Sequence, residues 1–340
     1  MDLHEGLEIS GRLRLLRPLA QGGMAQLWVA EHRTLGVEVV VKVLTPQASR
    51  EATAKWRFMR EARVTARIRS PHVAHVLDYD EGTLSEENDA FLVMELLAGE
   101  DLASRMDREF WVSLALARTI VEHVAAALEV AHGLGVIHRD VKPENIFLVD
   151  GPSGVTAKLV DFGIAKDAAE EMLELTLADA VMGTPHYMSP EQMISARDVD
   201  SRCDVWSLAV VAYACLTGTT PFDGSTFGAV CVATHRGVFS RPSRERPGLS
   251  ASVDAFFTRA LSIGIAARYP TARALCDAFL QATAADALVE ARRGGPRTRM
   301  RKAPVPSAGA AVPAASTHLV LDDLDDLPRL LKRGAEKQRR

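Results

Sequence analysis

The sequence predicts an α+β fold in which a small β-rich lobe precedes a larger helical lobe. Residues 11 to about 97 contain runs such as AQLWVA and VEVVVKVL, whose β-branched residues favour strands. From about residue 100 to 283, apolar residues recur at helical spacing. After about residue 290, a basic run precedes an Ala/Pro/Ser-rich stretch, which cannot bury enough apolar surface to fold on its own.

The first lobe contains one predicted helix between its strands. Six Lys or Arg alternate with apolar residues over Glu51–Arg69, and this pattern predicts an amphipathic helix. The run FLVMELL then predicts a buried strand that ends before Gly99.

Helices dominate the second lobe. Ser113 precedes an apolar series with a four-residue spacing, so it is expected to cap a helix that runs to Ala131 and stops before Gly133. The runs NIFLV and AKLV predict two short strands joined by the turn DGPSG. Further helices are predicted at residues 203–217, 225–235, 252–263 and 271–283.

Charge and composition exclude several classes of protein. The 340 residues include 40 Lys and Arg against 44 Asp and Glu, and the net charge of −4 excludes a chain-wide basic surface for nucleic acid. The longest apolar run, Val205–Leu216, is too short to span a bilayer. The first ten residues lack the Lys or Arg of a signal peptide. Four cysteines without metal spacing are expected to be reduced thiols, and the chain is predicted to be cytoplasmic.

The strongest chemical signal is the string HRDVKPEN at residues 138–145, followed 16 residues after Asn145 by DFG at residues 161–163. Phosphoryl transfer depends on positioning and on charge stabilisation. Positioning and charge stabilisation would be supplied by an aspartate that accepts a hydroxyl proton, by an asparagine and an aspartate that hold a metal, and by a nearby lysine. Two unrelated turns would be the alternative explanation, but the number of independent matches disfavours it.

These motifs resemble those of bacterial eukaryotic-like (Hanks-type) serine/threonine protein kinases. The resemblance implies a two-lobed protein kinase fold, with a small antiparallel-sheet N-lobe that carries one helix and a larger helical C-lobe. It implies a kinase domain over residues 11–283, divided into an N-lobe (11–97) and a C-lobe (98–283). Residues 1–10 are then an N-terminal extension, and residues 284–340 a disordered basic, Ala/Pro-rich tail with a short Leu/Asp segment.

The implied activity is transfer of the γ-phosphate of ATP to Ser or Thr of protein substrates. In the roles that the resemblance implies, Asp140 is the general base, and Lys142 stabilises the charge that develops on the γ-phosphate. Asn145 and Asp161 hold Mg²⁺ or Mn²⁺. Lys42, in the run VVVK, grips the α- and β-phosphates and pairs with Glu61 of the predicted helix.

The phosphate-covering loop departs from the family pattern GxGxxG. Residues 20–25 have the sequence AQGGMA, so Gly22 and its neighbour Gly23 remain while Ala20 and Ala25 replace the outer glycines. Glycines at such positions let backbone amides approach phosphate. This departure keeps one alternative open, a nucleotide-binding pseudokinase scaffold with weak or no transfer.

The resemblance also implies an adenine pocket, although the same residues would otherwise be expected simply in the core. The roof of this pocket is expected to be formed by Leu19, Leu27 and Val40, and its floor by Phe147. The backbone groups of Glu95 and Leu97, behind the gatekeeper Met94, are expected to bind the edge of the base.

Downstream motifs favour protein substrates over small molecules. The run GTPHYMSPE at residues 183–191 resembles a substrate-docking loop, and its GTP triplet together with Lys142 points to Ser/Thr acceptors. Asp204 is expected to support the catalytic loop, and Arg268 is expected to pair with Glu191.

A phosphorylation switch is predicted at Thr176, the only hydroxyl residue between Phe162 and Gly183. The resemblance implies that Arg139, which precedes the catalytic aspartate, forms part of the pocket for a phosphate at this position. The alternative is that Thr176 is an ordinary loop residue and that the acidic residues of the segment permanently replace the charge of a phosphate.

Two further features receive plain interpretations. His72 and His75 are expected to have no metal, because a zinc site needs three or four ligands. The leucines of LDDLDDLPRLL in the tail are expected to form, at most, a docking segment for a partner protein.

Overall fold

The computed structural model of the chain describes residues 3–22, 24–81, 90–152, 154–162, 185–195 and 199–293. Within these ranges the N-lobe is an antiparallel sheet. Its strands are β1 (Glu8–Ile9), β2 (Leu13–Gln21), β3 (Ala25–His32), β4 (Val37–Leu44), β5 (Val76–Asp80) and β6 (Phe91–Glu95). They lie side by side in the order β1-β2-β3-β4-β6-β5.

Two helices connect β4 to β5, where the sequence predicted one. Helix α1 (Pro46–Arg50) starts at Thr45, whose Oγ1 accepts a hydrogen bond from the N–H of Ala48 at 3.3 Å. A helix this short leaves no apolar period to detect. Helix α2 (Ala52–Thr65) ends before the predicted Arg69, because the N–H groups of Arg67 and Ile68 bond three residues back in a tighter turn.

The predicted N-terminal extension of residues 1–10 is too long. Strand β1 pairs with β2, where Ile9 lies opposite Leu13. Ile9 is only 6% exposed and belongs to the apolar cluster on one face of the sheet. Hydrophobic burial therefore brings residues 8 and 9 into the N-lobe.

Alternation along β4 divides the core of the N-lobe in two. Val39, Val41 and Val43 join the cluster on one face of the sheet. Leu44 joins the cluster between the opposite face and helices α1 and α2. Because successive side chains of a strand point to opposite faces, Lys42 lies on the face covered by α2.

The C-lobe is mainly helical. Its helices are α3 (Leu102–Glu109), α4 (Leu114–Gly133), α5 (Pro190–Ile194), α6 (Arg202–Thr217), α7 (Phe227–Arg236), α8 (Pro242–Glu245), α9 (Ala251–Ala260) and α10 (Ala272–Arg292). Its sheet contains β7 (Gly99–Asp101), β8 (Ile146–Gly151) and β9 (Gly154–Leu159), in that order. Helices α4 and α6 lie in one large apolar cluster with the aromatic residues of α9 and α10.

Local sequence signals explain where several of these elements start. The Oγ of Ser113 accepts a hydrogen bond from the N–H of Leu116 at 3.1 Å and so caps α4, as the sequence predicted. Gly99 starts β7 with φ +153°, and a Cβ there would lie 1.9 Å from the carbonyl oxygen of Leu148. This close approach of two strands requires glycine.

Helix α10 continues to Arg292, so the predicted boundary between residues 283 and 284 is wrong. The carboxylate of Asp286 accepts the N–H of Ser250 at 2.8 Å. Glu290 accepts the N–H of Leu114 at 3.0 Å and pairs with Arg246 at 2.5 Å. These contacts fix the last turns of α10 against the base of the C-lobe, and tertiary packing of this kind stabilises a helix more than its local propensity does.

Candidate active site

Lys42 joins two carboxylates that come from opposite sides of the cleft between the lobes. Its Nζ donates to Oε1 of Glu61 on α2 at 3.0 Å and to Oδ1 of Asp161 at 2.9 Å. Glu61 is 6% exposed and occupies the buried face of α2, one turn after Phe58. The parity of β4 and the periodicity of α2 therefore bring the lysine and the glutamate together.

The three charges stabilise one another. Burial disfavours the charge on Lys42, but Asp161 and Glu61 outweigh this effect and raise the pKa of the ammonium above its ordinary value. In turn, the Lys42 ammonium lowers the pKa of Asp161, against the opposing effect of burial. Lys42 and Asp161 are consequently both charged at neutral pH.

Three residues of the HRDVKPEN string form a second polar group. Oδ2 of Asp140 accepts a hydrogen bond from Nδ2 of Asn145 at 2.8 Å and lies 3.1 Å from Nζ of Lys142. The same Nδ2 also donates to the backbone carbonyl of Asp140 at 2.8 Å. Two acceptors for this nitrogen fix the orientation of the amide, which leaves Oδ1 of Asn145 as a potential ligand oxygen.

The β8–β9 hairpin connects the two polar groups. Asn145 immediately precedes β8, and Asp161 follows β9 by one residue. The N–H of Val160 donates to the carbonyl of Asn145 at 3.0 Å. Asn145 and Asp161 are thus brought to the same end of one hairpin.

Two residues of the site have left-handed backbone conformations, Arg139 with φ +67° and Asp161 with φ +50°. Such a conformation costs a non-glycine residue about 1–3 kcal/mol. At Arg139 it is held by Asp204, a residue of α6 with no exposed surface, whose carboxylate accepts the N–H groups of His138 and Arg139 at 2.8 Å each. This is the support for the catalytic loop that the resemblance implied.

Two other polar residues hold the same loop and were not predicted. Nε2 of Gln192 donates to the carbonyl of Arg139 at 2.9 Å, and Nε2 of His132 lies 2.8 Å from Oδ2 of Asp204. The sequence does carry a signal for Gln192, since Ser189 and Gln192 form a capping box at the start of α5. No local pattern predicts the partner of His132.

The residues predicted to bind adenine lie on four strands of the N-lobe, just after the last of them, and on β8. Val40 is buried on the same face of β4 as Lys42, and its cross-strand partners are Val29 and Met94. Leu27 is half-buried on β3, whereas Leu19 on β2 is 47% exposed.

The floor residue lies on the C-lobe sheet, and the edge residues lie at the end of β6. Phe147 is half-buried on β8, opposite Lys158 in the hairpin. Glu95 ends β6, and Leu97 follows it. The side chain of Glu95 accepts a hydrogen bond from Nζ of Lys158 at 2.7 Å, which ties the end of β6 to β9.

The altered phosphate loop is described only in part. The N–H of Gly22 donates to the carbonyl of Ala25 at 2.9 Å, and Ala20 lies opposite Leu27. Gly23 lies outside the described residues, and so does Thr176, the predicted phosphorylation site.

Below the site, Arg268 and Glu191 form the predicted ion pair. The Arg268 side chain has no exposed surface, and its two terminal nitrogens donate to the two carboxylate oxygens of Glu191 at 2.8 and 2.9 Å. The guanidinium also lies 4.5 Å from the ring centroid of Trp206. A bidentate, fully packed pair of this kind holds the start of α5 in one geometry.

The two histidines of the HxxH pattern point to different partners. His72 stacks on His123, with ring centroids 4.0 Å apart, and Nδ1 of His75 lies 3.2 Å from Oε1 of Glu95. In the ranges that the structure describes, there is no cluster of three or more His, Cys, Asp or Glu that could hold a metal ion. Within the same ranges, no helix is both long enough and apolar enough to cross a membrane.

Comparisons with known proteins agree with this geometry. The family model described as "Protein kinase domain" matches residues 13–280. Serine/threonine-protein kinase PknA of Mycobacterium tuberculosis is 39% identical over 318 residues, which cover 93% of this chain and 70% of that protein. Serine/threonine-protein kinase Pkn1 of Myxococcus xanthus is 36% identical over 302 residues, 87% of this chain and 42% of that protein. A crystal structure of the M. tuberculosis PknI kinase domain superimposes with a TM-score of 0.64 at 26% identity, covering 83% of this chain and 99% of that one.

Proposed function

The chain belongs to the protein kinase family, and from this premise we propose how its residues transfer the γ-phosphate of ATP to a serine or threonine hydroxyl. This serine/threonine protein kinase acts on protein substrates. The observation that carries the proposed mechanism is the joined polar set, in which Lys42 bridges Glu61 and Asp161 while Asp140 contacts Lys142 and Asn145.

Asp140 orients the acceptor hydroxyl and takes its proton as the oxygen attacks the γ-phosphorus, while the bond from the γ-phosphorus to the β-phosphate oxygen breaks and ADP leaves. Lys142, 3.1 Å from the Asp140 carboxylate, stabilises the negative charge that develops on the transferred phosphoryl group. Lys42 binds the α- and β-phosphates, and Glu61 holds its ammonium in place. Because phosphoryl transfer gains most from positioning and electrostatics, these fixed charges account for the chemistry that the chain itself provides.

Asn145 and Asp161 fit a hard divalent cation such as Mg²⁺ or Mn²⁺. The donor set consists of oxygens, because Asn145 uses its amide nitrogen for Asp140 and Asp161 is held as a carboxylate by Lys42. When bound, such an ion offsets the charge of the β- and γ-phosphates. Asp140 and Lys142 then act on the acceptor side of the same phosphate.

Autophosphorylation on Thr176 is part of the proposal. Arg139 and Arg60 line one groove of about 190 Å³, and neither guanidinium has a carboxylate partner among the described residues. A phosphothreonine would find two cations there, and charge-assisted hydrogen bonds of this type can order a loop. Mass mapping of active enzyme without phosphate on Thr176, together with full activity of Thr176→Ala, would exclude the switch.

Incorporation of label from [γ-³²P]ATP in the presence of Mg²⁺ tests the proposed function. The wild-type chain and Asp140→Asn are each given a generic basic protein substrate, and the products are mapped. Label on Ser or Thr that disappears in Asp140→Asn supports the assigned roles. Nucleotide binding without transfer in the wild type would instead favour the scaffold alternative and make Ala20 and Ala25 the first residues to replace.

A further inference from the structure

The outward face of α2 carries an exposed tryptophan and a row of arginines. Trp56, Arg60, Arg63 and Arg67 follow one another at spacings of four, three and four residues, which places them on one face of the helix and of the turn that ends it. Trp56 is 61% exposed, although tryptophan is highly buried in most folded chains. The guanidinium of Arg60 lies 5.3 Å from the centroid of the Trp56 ring.

This face has an excess of positive charge. Helix α2 contains four Lys or Arg and a single acidic residue, Glu61, which is buried on the opposite face and occupied by Lys42. Arg63 contacts Glu81, whereas Arg60 and Arg67 have no carboxylate partner among the described residues. A local cationic face therefore stands out on a chain whose net charge is −4.

The lower end of the face opens into a groove of mixed character. The groove, about 190 Å³ in volume, is lined by Arg60, Val64, Gly135, Val136, Ile137 and Arg139. Cations and aliphatic side chains thus alternate within a short distance of the exposed indole. Such a surface can take up carboxylates and apolar side chains from the same ligand.

We propose that, while Thr176 carries no phosphate, the α2 face, defined by Trp56, Arg60, Arg63, Arg67 and this groove, docks an acidic peptide segment of a partner protein that also carries leucine or aromatic side chains. Arginine binds carboxylates in two-pronged geometry, and exposed Trp and Arg are the residues that most often carry binding energy at interfaces. The groove accepts an apolar side chain of the same segment.

Length and charge favour a peptide over a nucleic acid. Trp56 and Arg67 are separated by about 16 Å along the helix axis, at 1.5 Å per residue, which matches about five residues of an extended peptide. A nucleic acid would place a long row of phosphates against a chain of net charge −4. It would also leave the aliphatic side chains of Val64, Val136 and Ile137 without a matching surface.

Selection from a random-peptide phage library on the full chain tests the proposal. The chain carries Thr176→Ala, so that no phosphothreonine of its own can occupy the groove, and nucleotide is left out. Recovered peptides are synthesised with a fluorescent label, and their Kd is measured by anisotropy. Trp56→Ala and Arg60→Glu are compared with a matched control, Arg236→Glu, which changes an exposed arginine on α7. Thermal melting confirms that each variant is folded.

We expect the recovered peptides to be acidic and to contain leucine or aromatic residues. Each α2 variant should raise Kd by about tenfold or more, while Arg236→Glu leaves it unchanged. Neutral or basic peptides, or acidic peptides that bind Trp56→Ala and Arg60→Glu as tightly as the parent, would overturn the proposal. Tighter binding of a single-stranded oligonucleotide than of any recovered peptide, at physiological salt, would overturn it as well.

Discussion

Lys42 links Glu61 and Asp161 through one ammonium group, and the side chains of Lys42 and Glu61 are 15% and 8% exposed. If the cation were removed, two carboxylates would face each other without compensation, and one of them would tend to take up a proton. The same ammonium is proposed to hold the phosphates. Lys42 therefore keeps both carboxylates charged and is also proposed to act in catalysis.

Lys42→Met is expected to lower kcat/KM for peptide phosphorylation by about 10²-fold or more, because a preorganised cation is lost where phosphate charge must be stabilised. The measurement is steady-state transfer from [γ-³²P]ATP, with circular dichroism to confirm folding. Glu61→Gln keeps a hydrogen-bond acceptor for Lys42 and should cost less. Unchanged kcat/KM in Lys42→Met would contradict the role assigned to this lysine.

Backbone geometry at single residues leads to a second prediction. Gly99→Ala should lower the free energy of unfolding by about 2–4 kcal/mol, since a Cβ would lie 1.9 Å from the carbonyl oxygen of Leu148 and the residue has φ +153°. Gly228→Ala on α7 is the matched control, because a Cβ there meets nothing within 4 Å. The control should be neutral or stabilising by up to about 1 kcal/mol. Urea titration of both variants measures the difference, and equal midpoints would contradict the account of β7.

At the scale of elements, two histidines fasten strand β9 to the rest of the fold. Nδ1 of His123 on α4 accepts the N–H of Ala157 at 3.1 Å, and Nδ1 of His72 lies 3.3 Å from the carbonyl of Ala157. The backbone of Ala157 therefore selects opposite tautomers of the two rings: Nδ1 is unprotonated in His123, where it accepts a hydrogen bond, and protonated in His72, where it donates one. The N–H of Leu159 also donates to the carbonyl of His72 at 2.8 Å, so the clamp lies two residues before Asp161.

The clamp makes stability depend on pH. Burial lowers the pKa of both histidines below 6.5. Lys158 lowers the pKa of His72 further, and His72 lowers that of His123, whereas Glu122 raises both. Below pH 6.5 the unfolded chain binds more protons than the folded chain. The contribution of the two histidines to the free energy of unfolding is therefore complete above pH 6.5. It decreases as the pH drops toward the lower pKa values that these histidines have in the folded chain. We expect Tm to decrease over this acidic range.

His123→Asn tests the origin of that decrease. Asparagine keeps an oxygen that can accept the N–H of Ala157 but does not titrate. The fall of Tm with decreasing pH should become shallower in the variant. It should not vanish, because burial also lowers the pKa of His138. A Tm profile identical to that of the wild type would show that His123 does not contribute.

Elements with a clear period could be predicted from the sequence, whereas their ends depended on distant contacts. The Ser113 cap of α4 and the β8–β9 hairpin follow from local patterns. Helix α1 was missed because five residues show no period. The residues after 283 were expected to lie outside the kinase domain because the family resemblance ended there, but Asp286 and Glu290 have polar partners more than 35 residues away. No local pattern records such partners.

For the molecule as a whole, the two-lobed kinase fold expected from the motifs is confirmed by the family match and by the superposition on PknI. The family resemblance implied that Lys42 pairs with Glu61, and the parity of β4 and the periodicity of α2 are the local properties that bring these two side chains together. The residues that hold the catalytic loop, such as Gln192 and His132, are joined to it only by the tertiary fold. Their contribution could not be read from spacing.

At the base of the C-lobe, the last turn of α10 contacts a buried arginine. Arg246 is 6% exposed and donates to the carbonyl of Val112 at 2.9 Å and to Glu290 at 2.5 Å. Burial lowers its pKa because the buried charge is unfavourable, and the carboxylate that α10 supplies offsets this cost. The last turn of α10 therefore compensates a charge buried under α4 and belongs to the folded domain.

Two truncated chains test whether residues 284–293 are required for the fold. A chain that ends at residue 293 should melt like the full chain, because it keeps every contact of α10. A chain that ends at residue 283 leaves Arg246 buried without its carboxylate and loses the acceptor for Ser250. The loss of a buried partner costs about 3–5 kcal/mol, so Tm should fall by on the order of 10 °C. Glu290→Gln in the full chain should shift Tm in the same direction by less. If the two truncated chains melted at the same temperature, residues 284–293 would be dispensable for the fold, and the boundary that the resemblance implied would stand.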